Sequence, residues 1–186
     1  MVQSRQEWHD IVRQNQDVGA DGFELNFGCS HGMCERGMGS AVGQEPKVLQ
    51  MIVEWVMEVA TKPVIVKLTP NISDITESAM AARRVGADAI SLINTIQSIV
   101  GVDIDQFASY PIVDGKGTNG GHCGPAMKPI ALNMVKASST PTCTCSFPAS
   151  VVSRIGAMRC NTSCWVPAAC RHARRRCILA LASSVK

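Results

Sequence analysis

The sequence predicts an α/β fold with a parallel sheet, read as part of a (β/α)8 barrel. Three observations predict it. Helical and strand patterns alternate from the start of the chain to about Lys136. Val64-Ile65-Val66 is β-branched throughout, as an interior parallel strand requires. Finally, Val18-Gly19-Ala20-Asp21 before one strand pattern is echoed by Val85-Gly86-Ala87-Asp88 before another, as successive β/α units would produce. An open doubly wound sheet fits the same alternation.

Taken in order, Gln6 to Gln16 reads as a helix, closed by the turn at Val18–Asp21, and Phe23-Glu24-Leu25-Asn26 as a buried strand. A Gly-rich loop runs from Gly28 to Gly43. After Pro46, apolar residues at Val48, Ile52, Trp55, Val56 and Val59 recur at helical spacing and predict one stripe against a sheet, ending at Thr61-Lys62-Pro63. Ser73 or Asp74 caps a helix that runs to Val85, and Ala89-Ile90-Ser91-Leu92 forms the next strand. Asn94 to Lys128 reads as one long loop, functional or mobile by its length, before a helix from Pro129 to Val135.

Composition excludes some classes of function. The net charge is +3, and no apolar run reaches bilayer-spanning length. The opening MVQSRQEWHD carries no leader pattern, so the expectation is a cytoplasmic protein with no membrane and no nucleic-acid partner. All fifteen acidic residues precede Lys136; beyond it come seven Lys or Arg and six of the nine cysteines. Cysteine spacing there fits neither a zinc module nor an iron–sulfur cluster, and no metal site is expected. This change of composition divides the chain into residues 1–136 and a tail, 137–186, that shows neither helical nor strand periodicity.

The candidate chemistry lies at strand ends, the carboxyl face where barrels build their sites. Asn26-Phe27-Gly28-Cys29-Ser30-His31 places an amide, a thiol and an imidazole directly after a strand. At neutral pH a free thiol, with a reference pKa of about 8.5, is mostly protonated and can donate a proton; Cys29 is therefore read as proton donor, nucleophile or structural cysteine. His31 is a surface or structural residue by default, and Glu35 with Arg36 an exposed ion pair of little energetic weight. Lys67 ends an apolar strand, so its ammonium must emerge at the sheet's end or find an anionic partner. Asn94 and Thr95 offer donors and acceptors suited to the edge of a heterocycle, or to a turn. Gly120, Gly121 and Gly124 can bring backbone amides close to a ligand.

These motifs together, Phe23-Glu24-Leu25-Asn26, Cys29 with His31-Gly32-Met33, Glu35 to Gly39, Gly43-Gln44, Lys67-Leu68-Thr69-Pro70-Asn71, Asn94-Thr95 and Lys128-Pro129-Ile130-Ala131-Leu132, occur in the order found in dihydropyrimidine dehydrogenase. From Gln6 to Lys136 the chain resembles the FMN- and pyrimidine-binding domain of that family. The resemblance implies a flavin oxidoreductase that reduces uracil or thymine to the 5,6-dihydropyrimidine. Cys29 matches the proton donor, Asn26, Asn94 and Thr95 the pyrimidine-binding positions, and Lys67 a lysine at the flavin, with Gly121 and Gly124 expected at the cofactor. Iron–sulfur clusters and NAD(P)H would act only through other regions or through an NAD(P)H/FAD-binding partner subunit.

Gly28 and Ser30 stand where the family usually has Ser and Pro, which implies a looser loop around the cysteine. Dihydroorotate dehydrogenase shares the barrel and the Asn-bearing strand end, and the loop from His31 to Gly39 favours the pyrimidine enzyme. A whole barrel takes about 250 residues, so the resemblance implies a barrel incomplete at its N-terminal side. It also implies a disordered tail, frameshifted between Lys136 and Pro148: if each codon from Pro148 onward is read from its third base, the degenerate code permits a Gly-Ile-Gly-Gly-Ile string like the one with which the family binds the FMN phosphate. Such a chain is expected to hold FMN weakly, and a remnant without catalytic activity is the alternative.

Overall fold

A computed structural model describes residues 4–29, 37–139 and 151–153. Ser4 accepts a hydrogen bond from Glu7 N while the Glu7 carboxylate accepts from Ser4 N, a capping box that starts helix α1, Arg5–Asp17. Gly19 then turns the chain at φ +88°, and its counterpart Gly86 at φ +90°. The repeated Val-Gly-Ala-Asp string is thus a repeated helix-ending turn in the left-handed region that glycine tolerates.

Strand β1, Phe23–Asn26, pairs in parallel with β2, Val64–Lys67, and β2 with β3, Ala89–Leu92. Between them lie a single turn, α2 at Ser40–Gly43, then α3 at Pro46–Met57 and α4 at Ile75–Arg84. Asp74, rather than Ser73, caps α4, its carboxylate accepting from Thr76 N at 2.8 Å. After α5, Lys128–Ser139, a short strand β10 at Val151–Ser153 joins β3 in parallel. The sheet order β1-β2-β3-β10 is sequential, and the helices contact one another in the order α1, α3, α4, α5.

Alternation along each strand separates two faces. Phe23, Leu25, Val64, Val66, Ile90 and Leu92 pack with the helices into the core. The registers Glu24–Ile65–Ala89 and Asn26–Lys67–Ser91 form two rows on the opposite face. That face carries the polar chemistry.

Two expectations need correction. On α3 the buried stripe is Leu49, Ile52, Val53 and Val56, whereas Val48 is 36% exposed and Trp55 and Val59 are only partly buried at its margin. Leu49, at the i, i+3, i+4, i+7 spacing of Ile52, Val53 and Val56, completes the buried stripe in place of Val48. The stretch from Asn94 to Lys128 is not a bare loop: β4, Ile96–Ser98, pairs with β9, Gly120–His122, and encloses two further antiparallel pairs, β5–β6 (Gly101–Asp103, Ala108–Tyr110) and β7–β8 (Ile112–Val113, Lys116–Gly117). Its short, Gly-rich strands are too brief to show an alternating pattern in sequence. In the tail, three residues that show no strand period by themselves gain backbone partners on β3.

Candidate active site

The ladder of the sheet continues past the strands and fixes the segments that follow them. Phe27 N donates to Lys67 O at 3.0 Å, Leu68 N to Ser91 O at 3.1 Å and Asn94 N to Leu68 O at 3.2 Å. Asn26, Lys67 and Asn94 are thereby held beside one another at the carboxyl ends of β1, β2 and β3. Asn94 Nδ2 donates to Asn26 Oδ1 at 3.0 Å, and Gly28 N donates to the same oxygen at 3.0 Å. One amide oxygen thus organises both the strand end and the start of the next loop.

Gly28 is not the loose point that its composition suggests. A Cβ there would lie 2.5 Å from both Cβ and Nδ2 of Asn94. The missing side chain is what lets Asn94 reach Asn26. Cys29 is half-buried directly after the Asn26–Gly28 turn and is held by Ser40 N donating to its carbonyl at 2.9 Å. Gly39, at φ +59°, packs on it so closely that a Cβ would stand 2.5 Å from Cys29 O. His31, Glu35 and Arg36 lie outside the described residues, as does Ser30.

Thr95 N donates to Asn94 Oδ1 at 2.8 Å, turning that amide oxygen toward the backbone. Asn71, the last residue of the Lys67–Asn71 motif, has a role that its sequence context does not signal. Its Nδ2 donates to Thr95 O at 3.2 Å, its Oδ1 accepts from Gln97 N at 2.8 Å, and its carbonyl accepts from Gln44 Nε2 at 2.6 Å. It ties the ends of β2, β3 and β4 together. The two glycines differ: a Cβ on Gly121 would meet Thr95 Oγ1 at 2.5 Å, whereas Gly124, at φ +103°, faces open space. Gly121 makes room for Thr95, and Gly124 adopts a backbone conformation that side-chain-bearing residues rarely take.

Lys67 has an anionic partner. Its Nζ lies 3.6 Å from Glu24 Oε1 on β1, and Ser91 Oγ on β3 donates to Glu24 Oε2 at 3.3 Å. A charge inside an otherwise apolar strand gave no hint of which acid it would meet; the parallel register supplies it. Three carboxyls are held below their ordinary range: Glu58 through Arg5, Asp74 through Thr76 and Asp103 through Gln106 N–H and the Tyr110 hydroxyl.

A family model described as "Dihydroorotate dehydrogenase" matches residues 3–143. The chain belongs to the dihydroorotate dehydrogenase family. Within it, the chain is 41% identical over 155 residues to the NAD-dependent dihydropyrimidine dehydrogenase subunit PreA of Escherichia coli K12, which covers 83% of this chain and 38% of the relative. It is 43% identical over 128 residues to the chloroplastic dihydropyrimidine dehydrogenase (NADP(+)) of Arabidopsis thaliana, covering 69% and 30%. A catalytic subunit of dihydroorotate dehydrogenase B (NAD(+)) from Pyrococcus horikoshii is 48% identical over 116 residues, 62% of this chain and 36% of its own. The chain therefore spans less than two fifths of the length of these family members. Among the described residues no helix is long and apolar enough to cross a membrane.

Proposed function

We propose that this chain is the ring-binding part of a flavin-dependent oxidoreductase acting on uracil or thymine, built on an arc of a (β/α)8 barrel. The sequential strand order and single run of neighbouring helices support the barrel arc over a doubly wound sheet, whose strand order reverses at a switch point. The observation that carries the function is the gathering of Asn26, Cys29, Lys67, Asn94 and Thr95 at the carboxyl ends of three adjacent parallel strands. The names of the E. coli and Arabidopsis relatives support a pyrimidine as substrate.

The donor set suits an isoalloxazine ring: an ammonium at Lys67 on the polar face, with the glycine backbone of Gly124. FMN, when bound, supplies the hydride that reaches C6 of the pyrimidine. The amides of Asn26 and Asn94 and the Thr95 hydroxyl orient the ring by its carbonyls and ring nitrogens, exchanging their mutual bonds for bonds to substrate. Cys29 gives its thiol proton to C5 as the C5–C6 double bond becomes single, and water returns a proton to the thiolate. Electrons enter from NAD(P)H through a partner subunit or through regions outside this chain.

Flavin fluorescence and visible absorbance during an FMN titration, with and without uracil, test the reading. Saturable uptake with a uracil-dependent spectral change is expected, and Cys29→Ala keeps both while abolishing dihydrouracil formation. A chain that takes up no flavin is a remnant. The Pyrococcus identity favours one other reading, a dihydroorotate dehydrogenase; a spectral response to orotate in place of uracil identifies it.

A further inference from the structure

We propose that Glu24 is a positioning residue, the counter-ion that holds Lys67 in place and balances its charge beside the reacting ring. The proposal rests on the flavin reading for what Lys67 faces. Glu24 lies in the middle of β1, where its side chain is 12% exposed and that of Lys67 26%. A carboxylate so withdrawn from water is unfavourable unless both of its oxygens find partners. They do, on two different strands: Oε1 faces Lys67 Nζ at 3.6 Å, and Oε2 accepts from Ser91 Oγ at 3.3 Å.

The registers explain the reach. Glu24 is level with Ile65 and Ala89, and Lys67 is level with Asn26 and Ser91 one row nearer the carboxyl ends. Glu24 therefore stretches across β2 from one row below, and Ser91 fixes the far oxygen. At 3.6 Å the pair is an ion pair longer than a full hydrogen bond, so the ammonium keeps donors for a group lying at the strand ends. Glu24 thus limits the positive charge that Lys67 presents while leaving its N–H groups to donate.

A charge-balancing role makes two substitutions act in opposite directions. Glu24→Gln leaves Lys67 uncompensated and favours reduced, anionic flavin, shifting the reduced-to-oxidised ratio at a fixed poise by roughly tenfold. Lys67→Met shifts that ratio the other way, and the double variant returns close to wild type. The experiment is a spectrophotometric redox titration of the FMN-loaded full chain in these four forms, paired with melting of the flavin-free forms. In melting, the two substitutions are expected to be strongly non-additive.

Shifts of the same sign, or a double variant as displaced as Lys67→Met alone, overturn the proposal. Should Glu24→Gln not fold, the double variant carries the test, since removing both charges leaves none unpaired. A wild-type chain that takes up no flavin overturns the flavin reading and, with it, the tuning role. Melting separates the two failures: non-additive melting without flavin uptake reduces Glu24 to a structural counter-ion, and additive melting removes the pairing itself.

Discussion

Asn94 donates its Nδ2 to Oδ1 of Asn26 at 3.0 Å, linking the carboxyl ends of β3 and β1 over the end of β2. The bond exists because Gly28 has no side chain. Serine at 28 would set its Cβ against Asn94, a steric conflict costing about 1–3 kcal/mol. Gly28→Ser is expected to lower stability by that amount in urea unfolding, and Asn94→Gly in the same chain, which removes the clashing Cβ, should relieve much of the loss. Full additivity of the two changes would show that they do not share the space.

The helix α3 distinguishes a residue in the apolar stripe from its neighbour. Leu49 is wholly buried, while Val48 is 36% exposed. Leu49→Ala should cost about 2–5 kcal/mol, and Val48→Ala should stay within about 0.5 kcal/mol. Denaturant melts of the two variants check this directly.

Glu58 receives Arg5 Nε at 2.9 Å and a second Arg5 nitrogen at 2.8 Å, with His9 Nε2 also at 2.8 Å. Arg5 above all, then His9, holds its carboxyl below the ordinary 4.5. A lowered carboxyl stabilises the fold above its unfolded value and loses that stabilisation as pH falls through the folded one. Melting temperature is expected to decline as pH drops below about 4.5 and through the acid range beneath it. Glu58→Gln should flatten that part of the profile by lowering its neutral end, the two proteins converging in acid.

Asn71 gives the base of β4 its anchorage, accepting from Gln97 N and donating to Thr95 O. Asn71→Ala removes three side-chain hydrogen bonds, those two and one from Nδ2 to Thr69 Oγ1 at 3.2 Å, each worth about 0.5–1.5 kcal/mol. Hydrogen exchange at the Gln97 amide should accelerate, with exchange in β1 and β2 unchanged. Equal acceleration throughout would mean that Asn71 supports the whole fold.

The sequence by itself determined the alternating α/β order, the three strands to Leu92, the helices between them and the Asn, Cys and Lys at strand ends. Those features rest on local signals: caps, β-branched runs, a twice-used Val-Gly-Ala-Asp turn. Only the tertiary structure decided which side of α3 is buried, that Glu24 meets Lys67 and Ser91, that Asn71 joins three strand ends and that Gly28 admits Asn94. Each of these depends on the register between strands or on space between segments far apart in the chain. Short Gly-rich strands such as β7 and β8 likewise become strands only through the partners that the fold brings beside them.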